Sequence, residues 1–402
     1  MVIQAMIPNH GPSFDFGLGD TADAIREATA RFAADRIAPR AAEIDAKGEF
    51  PWDIVKLLAE HDFFAAPFPE QYGGLGADMI SILLVIEELS RVCATSGLIP
   101  AVQELGALPL LHGGTDEQKQ RWIPDLAAGR KLAAFALTEA GAGSDAASMR
   151  TRATPAEDGG TWILNGEKRF ISQGDVADIV AVFAQTDDSA QARQTHRHVT
   201  CFYVEKGTPG FTSPRVEHKM GIRGSTTAEL AFQDARIPDA NRVGEVGDGW
   251  GLAMKTFERS RAGIAAQAVG IAQGALDVAA KYSTERKQFG RPIGDFQMIS
   301  AMLADMATQT EAARQLLYAA AERIDATDAH AARWASMAKL FCGDTAMAVT
   351  TDAVQVLGGY GYTTEYPVER MMRDAKITQL YEGTQQIQRL IIARDLLKGG
   401  DV

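Results

Sequence analysis

The stretch from Lys376 to Leu397, KITQLYEGTQQIQRLIIARDLL, places a carboxylate, Glu382, between Tyr381 and Gly383 and then opens a helix. Ile387, Leu390, Ile391 and Leu397 recur at helical spacing. Thr384 is suited to cap that helix, and Gly383 lets the backbone turn tightly or approach a ligand. A carboxylate on the short step before such a helix is held by the scaffold and still free to face a cavity. In this window alone, a solvated acid in a helix leader is the readier reading, and the rest of the chain reverses that.

Working outward, the 402 residues exceed what one hydrophobic core usually organises, so more than one unit is expected. Hydrophobic residues make up 46% and charged residues 23%, an ordinary globular balance without low-complexity tracts. The formal charge of -12 argues against a nucleic-acid or anionic-membrane binder, because phosphate recognition draws on a basic surface. Cys93, Cys201 and Cys342 lie far apart with no CxxC pair, which suggests neither a disulfide framework nor a zinc site. No basic leader and no run of 18 uncharged apolar residues is seen, so no membrane span is expected. The setting expected is cytoplasmic, or the mitochondrial matrix for a processed organellar protein.

After a tail of roughly 15 residues expected to be poorly ordered, Asp20 can cap a first helix that ends near Pro39. Amphipathic patterns follow around Ile54 to Leu58, Met79 to Val92 and Asp116 to Leu126. Composition changes near Lys131. Thr161 to Leu164 and Lys168 to Ile171 flank Asn165-Gly166, a dipeptide favoured in tight hairpins, and Ile179 to Phe183, Val199 to Val204 and Ala228 to Phe232 add β-rich runs. Helical pattern returns over Trp250 to Tyr282, Phe296 to Ile324, His330 to Leu357 and Thr384 to Leu397. The expected fold is α+β and mainly α: an N-terminal helical domain over 1–131, a middle antiparallel β domain over 132–242, and a C-terminal four-helix bundle over 243–402.

Three further stretches can carry chemistry. Ala136 to Asp145, ALTEAGAGSD, offers backbone N–H groups and the hydroxyls of Thr138 and Ser144 in a short arc, suited to a phosphate or a heteroaromatic edge. It also fits a loose GxGxxA, but the context is not a βαβ unit. Arg286 to Gly290 suits pyrophosphate, or simply the end of a helix, where cations favour the dipole. Gln355 to Tyr362 ends a helix in glycines. No HExxH, GxSxG or P-loop occurs.

ALTEAGAGSD, NGEKRFIS, ERKQFGRPIGDFQ, LGGYGYTTEYPVERMMRDAK and YEGTQQIQRLIIAR, taken in order, resemble the acyl-CoA dehydrogenase family from about residue 20 to residue 397. The resemblance implies FAD, an acyl-CoA substrate, electron-transfer flavoprotein as partner and a homotetramer. It implies Glu382 as the catalytic base. For the cofactor it implies Phe135, Leu137, Thr138, Gly143, Ser144, Phe170, Ile171, Ser172, Arg286, Gln288, Phe289, Phe296, Gln297, Gln355, Gly358, Gly359, Thr384 and Gln386, many of them reaching FAD of a neighbouring subunit. For the substrate it implies Ser144, Glu258, Arg261, Tyr381 and Gly383.

Three positions depart from the family's usual pattern: Ala140 stands for proline, Phe170 for tryptophan and Ser172 for threonine. Some branched-chain members carry the base on the long helix after the β domain; here that position is Ser260, which leaves Glu382. The same fold also serves oxidases, monooxygenases and DNA-associated relatives, and retained Glu382 with a charge of -12 weighs against these. Leu98, Ile99 and Val102 are bulky enough to suggest a short or branched acyl group, or are core residues facing away. HKMGIRGSTTAEL leans the same way.

Overall fold

The computed structural model describes residues 17–398; the N-terminal tail expected to be poorly ordered lies almost wholly outside them. The first helices are α1 (Asp20–Phe32), α2 (Ala41–Lys47), α3 (Trp52–Glu60), α4 (Met79–Val92), α5 (Ala94–Gly113) and α6 (Asp116–Ala127). Gly19, not Asp20, takes the cap position of α1, and no side chain caps it. The start of α4 is held by Asp78, which accepts from the Ser81 N–H at 2.8 Å. Thr115 and Gln118 cap α6 reciprocally.

The sheet region holds β1 (Ala133–Ala136), β2 (Arg152–Pro155), β3 (Thr161–Ser172), β4 (Ile179–Gln185), the short α7 (Ala190–Gln194), β5 (Val199–Glu205), β6 (Phe211–Val216), β7 (Thr227–Pro238) and β8 (Arg242–Val243). The strand order is β6-β7-β3-β2-β4-β5-β8, with β1 also on β4. Most pairs are antiparallel, as expected; β1 and β2 pair with β4 in parallel.

Asn165-Gly166 is not a hairpin. β3 runs through it, paired with β2 on one side and β7 on the other, and the dipeptide sits at a register shift between Leu164 and Gly166. Two flanking strands outweigh the local turn preference, and the Asn-Gly tolerance for unusual backbone is used for a bulge instead. A Cβ on Gly166 would lie 2.6 Å from the Thr151 Cα, so only glycine fits.

The chain then enters α8 (Gly249–Glu285), a small hairpin of β9 (Lys287–Gln288) and β10 (Arg291–Pro292), and α9 (Gln297–Asp325), α10 (Ala331–Leu357), α11 (Val368–Ala375) and α12 (Gln385–Leu397). The eight-residue α11 was not anticipated from the pattern. By length and composition α8 alone among the described residues resembles a membrane span, yet 83% of that window is buried inside the protein, as a core helix requires.

The two helical parts pack on each other through α4 and α8. A Cβ on Gly270 would sit 2.2 Å from the Glu87 carbonyl oxygen, so this crossing depends on a bare backbone. Buried charges join the same helices to α9: Arg314 Nε and Tyr318 OH both donate to Glu87 at 2.8 Å. On the sheet side, the fully buried Tyr203 inserts its hydroxyl into α5, donating to Gly106 O at 2.7 Å and accepting from Leu110 N at 3.1 Å. Leu98 and Val102 of α5 join the core cluster that contains Ala262, Ala265 and Ala266 of α8; Ile99 belongs to a different cluster, with the N-terminal helices.

Candidate active site

Glu382 sits on a left-handed turn. Its φ is 57° and that of Gly383 is 89°. Glycine adopts this conformation freely, but a glutamate does so only when its surroundings impose it, and such residues gather at functional sites. The surroundings are visible. Gln388 Nε2 donates to the carbonyls of Glu382 and Gly383 at 3.0 and 2.9 Å, Arg261 Nε reaches Glu382 O at 3.4 Å, and Lys339 Nζ donates to Gly383 O at 2.7 Å. Thr384 caps α12 by accepting from Ile387 N at 3.4 Å. Tyr381 OH donates to Gln267 Oε1 on α8.

The carboxylate itself accepts from Ser260 Oγ at 2.6 Å through Oε2. Burial pushes its pKa up, and the Ser260 hydroxyl, Arg261 and Lys339 pull the other way. The Glu382 N–H has no hydrogen-bond partner among the described residues. The site therefore combines a desolvated carboxylate with an uncommitted donor on the same residue. Of the residues expected at the substrate, Arg261 and Tyr381 hold this turn, and Gly383 forms it; Glu258 lies one helical turn along α8 from Arg261, its carboxyl also pushed up by burial. A half-buried pair, Arg259 Nε to Glu104 Oε1 at 2.5 Å, lies nearby, and the Glu104 charge reinforces the upward push on Glu382.

A second group forms where β1 meets β3. Between Lys168 and Ile171 the β3 register shifts again, and Phe170 takes a φ of 59° that leaves its ring 59% exposed. Bulges re-aim side chains in this way. Arg169 N donates to Thr138 O at 2.8 Å, which ties the bulge to the ALTEAGAGSD loop. Lys168, fully buried, donates to Leu137 O at 2.9 Å and Glu139 Oε1 at 2.8 Å, and Glu139 also accepts from Arg150 N and Thr151 N.

Gly143 and Ser144 are exposed, and their N–H groups have no partner among the described residues. An exposed aromatic ring tied to an arc of uncommitted donors fits the heteroaromatic cofactor expected there. Ser172 is partly exposed beside them, whereas the Phe135, Leu137 and Ile171 side chains are buried, the first against Phe183 and Phe257, so any contact they make is through backbone.

A third group lines a cleft of about 600 Å³: Arg286, Gln288, Phe289, Phe296, Gly358 and Gly359, together with Tyr282 and Tyr360. Phe289, with a φ of 51°, and Gly290, with 81°, form the hairpin tip. The Phe289 ring is 95% exposed. Gln297, Gln355 and Gln386 are exposed on their helices, and Gly358 ends α10 with a φ of 62°. Within one chain no hydrogen bond or ring contact joins this cleft to Glu382 or to Phe170 among the described residues.

The sequence reading missed the groups behind the sites. Lys339, Gln388 and Lys168 were not singled out. The available signal was a lone lysine inside the apolar run Met337 to Phe341; nothing local marks Gln388.

Models of the acyl-CoA dehydrogenase N-terminal, middle and C-terminal domains match residues 19–130, 134–235 and 247–397. An acyl-CoA dehydrogenase of Bacillus subtilis is 48% identical over 377 residues, 93% of this chain and 97% of that protein. The solved butyryl-CoA dehydrogenase of Megasphaera elsdenii superposes with a TM-score of 0.91 at 44% identity, covering 96% of this chain and 100% of that one. A chain in the structure described as the electron transferring flavoprotein of Acidaminococcus fermentans gives 0.92 at 45% identity, with the same coverage of 96% and 100%. Three domain models that together span most of the chain, and relatives matching along nearly their whole length, show that this chain belongs to the acyl-CoA dehydrogenase family.

Proposed function

We propose that the protein is an acyl-CoA dehydrogenase in which Glu382 removes the α-proton of a thioester to give the trans-2-enoyl-CoA. The observation that carries this reading is the Glu382 turn: a half-buried carboxylate of raised proton affinity whose own N–H is uncommitted. A thioester α-proton is weakly acidic, so developing charge on the carbonyl oxygen must meet donors already in place. The Glu382 N–H is such a donor. Burial that disfavours the carboxylate makes it a stronger base, and Ser260 keeps it from rotating away.

FAD, when bound, would supply the hydride acceptor. Thr138, Gly143, Ser144, Phe170 and Ser172 would hold its ring system. Arg286, Gln288, Phe289 and the Gly358-Gly359 step, on a separate face, would reach the cofactor of a neighbouring subunit. An assembly of subunits, proposed as a homotetramer, is supported by large apolar side chains left exposed in the C-terminal part of the chain, among them Phe289, Met298, Tyr362, Leu390 and Leu397. Electron-transfer flavoprotein as acceptor and a short-chain acyl group are supported by likeness to proteins so described. Three buried free cysteines accord with a cytoplasmic setting.

The test is anaerobic titration with butyryl-, isovaleryl-, octanoyl- and palmitoyl-CoA, following flavin absorbance. Butyryl-CoA is expected to bleach wild type, and Glu382→Gln to bind FAD and thioester without bleaching. Bleaching of that variant at the wild-type rate would overturn the role of Glu382.

A further inference from the structure

Lys339 lies in α10 with no exposed surface, in a run from Ser336 to Cys342 that carries no other charge. Its Nζ donates to Gly383 O at 2.7 Å and to Gln385 Oε1 at 3.1 Å. Gln385 is fixed in turn, its Nε2 donating to Leu340 O at 2.7 Å and Asp344 Oδ1 at 3.0 Å. Gln388 and Arg261 hold the same turn from α12 and α8.

Both acceptors of Lys339 are neutral oxygens that an uncharged donor could satisfy. Burying an ammonium is costly unless a charge nearby answers it. The carboxylate that answers most strongly is Glu382.

We propose that Lys339 is a positioning residue for the Glu382 base: it pins the Gly383 carbonyl, so that the left-handed turn holds, and it sets a cation beside the carboxylate. The inference rests on the reading of Glu382 as the base. Burial brings the Lys339 ammonium down to about 7, with Glu382 and Asp344 opposing that fall and Arg261 adding to it. Arg261 itself is lowered to about 10 by burial, with Glu382 and Glu258 raising it and Arg394 on α12 lowering it. From α5, Glu104 repels the Glu382 charge. Lys339 is thus fixed by two neutral acceptors, while ionised Glu382 favours its ammonium form.

The experiment compares the FAD-loaded wild type with Lys339→Met, Lys339→Gln and Glu382→Gln. Two quantities are read: uptake of deuterium at the α-carbon of butyryl-CoA in deuterium oxide, and the pH dependence of kcat and KM. Lys339→Met is expected to slow exchange and kcat about 10- to 100-fold with little change in KM, as loss of base placement does. Its acid limb should move to higher pH, because the carboxylate has lost a cation. Lys339→Gln keeps a donor for Gly383 O and should recover part of the rate while retaining the moved limb.

Wild-type exchange and an unmoved acid limb in Lys339→Met would overturn the proposal. If that variant does not fold, an unmoved limb in Lys339→Gln would overturn it. Glu382→Gln separates the two readings: wild-type exchange there removes the base itself, whereas loss there with intact exchange in Lys339→Met removes only the role of Lys339.

Discussion

The Ser260 hydroxyl donates to Glu382 Oε2 across 2.6 Å, so α8 touches the carboxylate that belongs to the turn before α12. Ser260, the position at which the family resemblance would have put an alternative base, is thus a hydrogen-bond donor to Glu382. A donor to the charged form lowers a carboxyl pKa. Ser260→Ala should therefore move the acid limb of kcat/KM to higher pH. A pH profile whose acid limb coincides with wild type would contradict this.

Gly383 has a φ of 89°, and a Cβ there would stand 2.8 Å from Gln388 Nε2, the group that holds both carbonyls of the turn. Gly383→Ala should cost about 1–3 kcal/mol of local strain and lower turnover at least tenfold. The loss in rate should exceed the loss in melting temperature, since only one turn is disturbed. Steady-state kinetics beside calorimetry makes the comparison.

The exposed ring of Phe170 is carried by a bulge tied to Thr138, so removing the ring leaves the backbone device in place. Phe170→Ala should unfold like wild type without cofactor, yet release FAD more readily, by roughly 1 kcal/mol of lost stacking. Phe170→Trp should retain FAD at least as tightly. Equilibrium dialysis of FAD checks both.

Lys168 is buried and drawn down to about 8 by burial, with Glu139 as its counter-charge. Lys168→Met leaves the Glu139 carboxylate without that cation. A loss of about 2–4 kcal/mol is expected, toward the lower end for a broken buried pair because Glu139 keeps its two backbone donors. Adding Glu139→Gln should restore part of it, measured by urea unfolding.

Asp374 on α11 accepts from Ile222 N at 2.5 Å, and burial raises its carboxyl from 3.8 to about 6. The folded state therefore holds this proton more tightly than the unfolded chain. The resulting stability is complete below about 4 and is lost as pH rises through about 6. Asp374→Asn keeps an acceptor and never ionises. It should match wild type only below about pH 4 and exceed it at pH 8, by on the order of 2–3 kcal/mol. Parallel unfolding curves at both pH values would show no such gain.

The helical framework was legible because its periodicity is long: α4 was read with the bounds it has, and α8, α9, α10 and α12 to within a few residues. Thr384 was legible as a cap because capping is local. Asn165-Gly166 misled because β2 and β7 flank it, and neither neighbour is visible from the dipeptide. Glu382 could be located from its motif, but not its left-handed backbone, which depends on donors from three helices. Lys339 lies 43 residues before Glu382 in the chain, and only the packing of α10 against the turn makes them neighbours. The seat of Glu382 is a tertiary object, whereas Glu382 itself belongs to a sequence motif.

The donors that hold the Glu382 turn come from α8, α10 and α12, and none from α5. The turn and α5 can therefore vary separately: repacking Leu98 and Val102, buried in the core that α5 shares with α8, leaves every donor to the Glu382 turn in place.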